Sequence, residues 1–167
     1  MTIHELNEMP PAELNATLFK CCGSAAWVNK MLTLFPMDEL VELLDFAEAQ
    51  WFNCREEDWR EAFSQHPKIG DIASLQKKFA STADWAAEEQ MGVNTANAET
   101  QQALQKANKQ YEDKFGYIFI VSAAGKSAEE MLNILQERLQ NEPEAEIKIA
   151  ADEQNKITLL RLQKLMQ

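Results

Sequence analysis

The sequence predicts an all-α fold, and three observations carry that prediction. Apolar residues recur at three- and four-residue spacing along most of the 167 residues. Helix-start signals stand before those segments, and the five glycines and five prolines fall between them. Strand signals are nearly absent, Phe115–Val121 being the one short apolar, β-leaning run. The length suits one domain, 1–167, with a sizeable core of its own. No linker, repeat or low-complexity segment divides it.

Taken in order, Pro10 and Pro11 suit the first turn of a helix to about Cys22, with Leu14, Leu18 and Phe19 inward. Ser24 is placed to cap a second helix carrying Trp27, Val28, Met31, Leu34 and Phe35, which Pro36 stops. Asp38 is expected to cap a third, whose Leu40, Leu43, Leu44, Ala47 and Trp51 form one stripe. A short fourth helix with Trp59 and Phe63 leads to His66. Beyond the next loop, Ile72, Leu75 and Phe79 predict a helix, and Ser81 to Val93 another that ends near Gly92. Residues 97–114 form a polar, alanine-rich helix. Phe115–Val121 is either an extended segment against the core or the start of a buried helix, and periodicity does not decide. Ser127 and Glu130 make an S-x-x-E capping box for a helix to about Gln140, and Pro143 opens the last helix, to about Met166.

Composition narrows the function. With 27 acidic against 16 basic residues the net charge is −11, which speaks against unspecific binding to nucleic acid or anionic membrane. Three cysteines, Cys21, Cys22 and Cys54, have no framework spacing and suggest reduced core thiols in a reducing compartment. Two histidines and no C-x-x-C or H-E-x-x-H leave little for a metal site, and none is expected. The N-terminus lacks a signal-peptide pattern, K-L-M-Q is not a peroxisomal tail, and no apolar run approaches the roughly 20 residues that span a bilayer. A cytoplasmic protein is expected.

Four features bear on chemistry, each with an ordinary reading beside it. His66 precedes Pro67, which disfavours the α conformation for it, and Gly70 follows with its wider backbone freedom. The imidazole therefore sits on a non-helical segment between helices, and histidine is the side chain whose unperturbed pKa lies nearest neutrality. A lone loop histidine is more often structural or solvated. Glu88 and Glu89 would ordinarily be a solvated face, but Glu89 lies four residues after Trp85, so it shares a face with a large apolar residue. A carboxylate against apolar surface is suited to acid–base work. Arg161 falls in the stripe Ile157, Arg161, Leu165, where it either snorkels from the edge or turns its fork into a pocket. The run Phe115–Val121 is core by its side chains, yet its backbone N–H groups are available to line a site. These residues outline a His–Glu–Arg constellation without naming a reaction.

Four stretches in order add a resemblance. They are H-P-K-I-G from His66, W-A-A-E-E-Q from Trp85, N-x-x-Y-x-x-K-F-G-Y-I-F-I from Asn108 to Ile120, and E-Q-N-K-I-T-L-L-R-L from Glu153. Together they resemble the 2-oxo-4-hydroxy-4-carboxy-5-ureidoimidazoline (OHCU) decarboxylase family across nearly the whole chain. The resemblance implies a single multi-helix bundle of about eight to ten helices. It implies a cofactor-independent carboxy-lyase of urate degradation, turning OHCU into (S)-allantoin and CO2. The implied catalytic residues are His66, Glu89 and Arg161. The implied substrate-binding positions are Pro67, Gln90, Gly116, Ile118 and Ile120. The family commonly has a serine where this chain has Ala86, so a hydrogen bond from that hydroxyl is absent or replaced. Family members often form homodimers.

The implied chemistry asks for few parts. Loss of CO2 leaves negative charge that the ring delocalises, and the protein must orient the carboxylate, stabilise that charge and deliver one proton to one face. Arg161 and the N–H groups of Gly116–Ile120 would hold ring or ureido oxygens. His66 would act as general acid–base, oriented by Glu89. Two other readings stand beside this one: a non-catalytic acidic helical binding module, and an acid–base enzyme acting on a related ureide.

Overall fold

Helix-start chemistry and helix-stop residues place the elements much as the sequence predicts. In the computed structural model, residues 1–69, 83–89, 91 and 98–167 are described. The predicted helix with Ile72, Leu75 and Phe79, together with Gly70, Gln90 and Gly92, lies outside them. The described elements are helices throughout: α1 Ile3–Asn7, α2 Pro11–Cys21, α3 Ala25–Leu32, α4 Leu40–Phe52, α5 Glu56–Ser64, α6 Ala83–Glu89, α7 Ala98–Phe115, α8 Ala128–Arg138 and α9 Pro143–Leu165. No strand occurs among the described residues.

The chain gathers into two compact units, Met1–Ala62 with Gln154–Gln167, and Phe63–Glu153. In the first, Ser24 Oγ accepts the Trp27 N–H at 3.4 Å, the expected cap of α3. Leu14, Leu18, Trp27, Val28, Met31, Leu43, Ala47 and Trp51 are buried as their spacing predicts, whereas Phe19, Leu40 and Leu44 are half-buried. Buried indole nitrogens keep partners: Trp27 Nε1 donates to the Ala47 carbonyl and Trp59 Nε1 to that of Trp51, both at 2.9 Å. Three details differ from expectation. α3 ends at Leu32, so Leu34 and Phe35 follow it outside the helix, ahead of Pro36. The cap of α4 is Glu39, without a side-chain bond, because Asp38 turns its own N–H to Glu42 Oε2 at 2.7 Å. The short α1 has no apolar repeat to announce it; Thr2 and Glu5 form a reciprocal capping box, and Asn7 exchanges two hydrogen bonds with the Met37 backbone.

In the second unit α8 packs on α7. Ser127 Oγ accepts the Glu130 N–H at 3.1 Å and starts α8, and Pro143 opens α9, as predicted. Past Phe115 the undecided run is irregular backbone, neither helix nor strand. Gly116 turns it off the end of α7 at φ +81°, a left-handed conformation that a side chain would strain, while its N–H closes on the Glu112 carbonyl at 2.8 Å. Tyr117, Phe119 and Ile120 are then buried against Phe63, Tyr111 and Phe115, with Phe63–Tyr117 centroids 5.2 Å apart and Tyr111–Phe115 centroids 4.6 Å apart.

Candidate active site

His66 lies where proline chemistry puts it, two residues past the end of α5 on non-helical backbone. It is half-buried, its N–H donates to the Phe63 carbonyl at 3.2 Å, and Pro67 behind it is buried. The segment is tied to α7 twice. The buried Asn108 amide donates to the Ile69 carbonyl at 3.0 Å, and Lys68 Nζ stands 2.8 Å from Glu112 Oε2 at the surface. Phe63, just before the segment, packs on Tyr117, just inside the irregular run. Phe63 and Tyr117 thus join the His66 segment to Gly116–Ile120 within one unit.

The irregular run is held from its other side by a buried charge cluster. Arg138 donates from Nε to Glu146 Oε1 at 2.7 Å, from Nη1 to the Ile120 carbonyl at 2.6 Å and from Nη2 to the Tyr111 hydroxyl at 3.3 Å. The Tyr111 hydroxyl in turn donates to Glu146, and Asn141 donates to Glu146 Oε2 at 2.9 Å. Burial, ahead of the other influences, pushes the Tyr111 phenol far above its usual range; Arg138 pulls the other way and the bond to Glu146 adds to the rise. Among the described residues, no partner is seen for the backbone N–H groups of Ile118 and Ile120. They are donors at the edge of a buried, aromatic surface, suited to an oxygen that gains negative charge.

Glu89 ends α6 in the same unit and is half-buried, as is Trp85, while Glu88 is exposed. Gln90 and the side chain at Ala86 lie outside the described residues.

Arg161 belongs to the other unit, in the last third of α9. Its stripe is confirmed at Ile157 and Arg161, both buried, and Leu165 is half-buried. Nη1 donates to the Lys20 carbonyl at 3.2 Å, one of the last carbonyls of α2, where a cation is also favoured by the helix dipole. Cys21 lies beside it. Burial pushes the Cys21 thiol up to about 12, and Arg161 only partly offsets this. Cys22 is likewise raised by burial, and all three thiols are free and buried, so they behave as core residues.

An open cavity of about 550 Å³ is lined by Lys68, Ile69, Gln105, Asn108, Lys109, Glu112 and Asp113. Its lining does not include His66, Glu89 or Arg161. Lys68 and Lys109 there are paired with Glu112 and Asp113, so the cavity offers no uncompensated charge pattern. Among the described residues, no group of three metal-ligating side chains is arranged to hold an ion, and no helix is long and apolar enough to cross a membrane.

Sequence reasoning passed over the Arg138–Glu146–Tyr111 cluster and Asn108. One signal was available: Arg138 continues the stripe Ala128, Met131, Leu135, just as Arg161 continues its own, and all four α8 residues are buried. Nothing local to Glu146 marks it as the partner.

The fold and these residues have counterparts in known proteins. A sequence model described as OHCU decarboxylase matches residues 7–163. The uric acid degradation bifunctional protein TTL of Arabidopsis thaliana is 41% identical over 148 residues, which are 87% of this chain and 45% of that protein. The 2-oxo-4-hydroxy-4-carboxy-5-ureidoimidazoline decarboxylase of Amia calva is 38% identical over 104 residues, 61% of this chain and 58% of that one. The chain thus spans about half the length of these curated relatives. A crystal structure of OHCU decarboxylase in the presence of (S)-allantoin superposes with a TM-score of 0.75 at 39% identity, covering 90% of this chain and 97% of that one. The chain belongs to the OHCU decarboxylase family.

Proposed function

We propose that this chain decarboxylates OHCU to (S)-allantoin and CO2 without a cofactor. The observation that carries the reading is the likeness at 39% identity, along 97% of its length, to an OHCU decarboxylase crystallised with (S)-allantoin. In the reaction the bond to the carboxylate carbon breaks, its electron pair is taken up by the adjoining ring system, and one proton is delivered to carbon on one face.

His66 acts as the general acid–base, and its fixed, non-helical, half-buried setting supports that role. Glu89 orients His66 and faces the substrate carboxylate, favouring its departure into a drier site. Arg161 holds a planar oxygen group with its fork; a lysine there would not copy it. Pro67, Gln90 and the backbone of Gly116, Ile118 and Ile120 complete the substrate contacts, the last two supported by their unpartnered N–H groups among the described residues. Chain 1–167 as one domain, a homodimer and a cytoplasmic setting belong to the same reading. One family model running from 7 to 163 supports the first, and three free, buried thiols support a reducing compartment.

The test is optical. OHCU is generated freshly from urate with urate oxidase and hydroxyisourate hydrolase, the protein is added, and circular dichroism follows the product. Rapid loss of the OHCU signal with build-up of (S)-allantoin is expected. Decay to racemic allantoin at the rate of the blank would overturn the reading and leave the binding-module alternative in its place.

A further inference from the structure

We propose that the buried Arg138–Glu146 pair is a positioning device for the reaction, holding the Ile118 and Ile120 backbone N–H groups where the substrate's developing charge forms. The inference rests on the reading of this chain as an OHCU decarboxylase.

An extended segment in a sheet takes its place from a ladder of neighbouring strands, and no strand is present among the described residues. The place of the Gly116–Ile120 run must come from elsewhere, and Arg138 supplies it. The planar guanidinium fixes the Ile120 carbonyl at 2.6 Å through Nη1 and stands 4.7 Å from the centre of the Phe119 ring. Phe119 also meets Tyr111 edge-on at 5.4 Å. The Ile120 N–H therefore lies between two held points, the Phe119 side chain on one side and the Ile120 carbonyl on the other. The Ile120 carbonyl shares its planar peptide with the Val121 N–H, so the bond fixes that plane, and with Phe119 held on the other side only φ and ψ of Ile120 are left to set the direction of the Ile120 N–H.

The guanidinium is itself held. Nε and Nη2 both reach Glu146 Oε1, at 2.7 and 2.6 Å, and Glu146 is wholly buried. Tyr111 also donates to Oε1 of that carboxylate, and Asn141 donates to Oε2. Apolar residues of similar volume often stabilise a core as well as a buried ion pair does, so stability alone is a poor account of this cluster. What apolar residues could not supply is a directed bond to one carbonyl. Catalysis by fixed backbone donors depends on placement to a fraction of an ångström, and a shift of about 1 Å can cost about 100-fold. Arg138 touches no reacting atom in this account; it acts through the Ile120 backbone.

The experiment compares the wild type with Arg138→Lys and Tyr111→Phe in two measurements. One is OHCU turnover, resolved into kcat and KM on protein shown to be folded by far-UV circular dichroism. The other is amide hydrogen exchange at Phe119, Ile120 and Val121 without substrate. Arg138→Lys is expected to speed exchange at those three amides and to lower kcat by about 30- to 100-fold, with KM changed less than about threefold. Tyr111→Phe keeps the bond to Ile120 and is expected to lower kcat by about threefold; it decides the matter if Arg138→Lys does not fold. Wild-type kcat in a folded Arg138→Lys, a loss confined to KM, or slower turnover with unchanged exchange would each overturn the proposal, as would wild-type kcat in Tyr111→Phe if only that variant folds. A wild type that leaves OHCU at the blank rate overturns the functional reading, and the proposal with it. The exchange arm would then still report whether Arg138 fixes the run structurally, so the two failures are told apart.

Discussion

Two non-helical segments of one unit carry groups that the proposed function assigns to the reaction, and they are held by opposite means. The His66 segment, Gln65–Ile69, offers a side chain. Among the described residues, its ties include a helix end, a proline, a buried amide-to-carbonyl bond from Asn108 and a surface ion pair from Lys68. The run Gly116–Ile120 offers backbone N–H groups. It is positioned by a buried arginine on α8, a carboxylate on α9 and a tyrosine on α7. The difference follows from what is being aimed. An imidazole at the end of a side chain can be aimed by its own backbone conformation and a few neighbours. A backbone donor has no rotamers to adjust, so the whole segment must be held, and that takes directed bonds from outside it.

The comparison breaks first at His66, where the largest effect is expected. His66→Asn keeps the size and one hydrogen-bonding edge but cannot cycle a proton near neutral pH. OHCU turnover should fall by about 10³-fold, within the range that general acid–base catalysis contributes, while the melting temperature stays within a few degrees. Steady-state assay and thermal unfolding of the same preparation check both halves. Near-normal turnover would remove the histidine from the mechanism and leave its segment an ordinary loop.

The second effect falls on stability, and on the other segment. Glu146→Gln leaves the Arg138 charge buried without its carboxylate and weakens the bonds from Tyr111 and Asn141. Breaking a buried pair on one side costs about 3–5 kcal/mol, a large share of a typical domain's stability. Urea unfolding of the two proteins measures it. A cost below about 1 kcal/mol would show that the cluster is not what holds the run.

A pH effect separates the segments further. The folded protein keeps the Tyr111 phenol protonated well above its usual pKa of 10.0, chiefly because it is buried. A group whose folded pKa is raised contributes stability that is complete below its unfolded pKa and is lost as pH rises beyond it. The unfolded chain gives up this proton near pH 10 and the folded chain resists, so stability should decline from about pH 9.5 upward. Cys21, pushed up to about 12 by burial from 9.0, adds to the decline in the same sense from about pH 8.5. Tyr111→Phe should flatten the upper part of the curve of melting temperature against pH, and Cys21→Ala the lower part. Equal slopes in wild type and Tyr111→Phe would mean the phenol ionises freely in the fold.

What could be read from the chain follows the same division. Local signals placed Ser24, Ser127 and Pro143 at helix starts, His66 off the helix and Arg161 on a buried stripe, because each depends on residues within a turn or two. The choice of Glu89 over Glu88 drew on helical spacing from Trp85 and on the E-Q register of the family resemblance; Glu89 is half-buried and Glu88 exposed. The conformation of Phe115–Val121 was not legible. Its apolar residues suit a strand or a buried helix equally, and its carbonyl at Ile120 is bonded to Arg138, 18 residues away, which no local pattern announces. Glu146 was illegible for the same reason: its partners are 35 and 8 residues distant, and its neighbours give a carboxylate on α9 no reason to be buried. The Asp38 cap failed over a shorter distance, through competition from Glu42, an acceptor four residues on.

The smallest effects test whether the His66 segment is held as lightly as the comparison holds. Asn108→Ala removes the donor to the Ile69 carbonyl and leaves that group buried beside a small void, at a cost of about 1–2 kcal/mol. Lys68→Ala removes an ion pair whose two side chains are 48% and 40% exposed. Solvent screening and the entropy of two long side chains leave such pairs worth about 0–0.5 kcal/mol. Urea unfolding of both variants gives the order, and the salt dependence of Lys68→Ala identifies its mechanism: the small difference from wild type should vanish at about 1 M salt, where the screening length is about 3 Å. If Lys68→Ala instead cost as much as Asn108→Ala, and kept that cost in salt, the surface pair would be a structural tie of the kind that holds the irregular run. The contrast between a lightly held side-chain donor and a tightly held backbone donor would then fail at its weaker end.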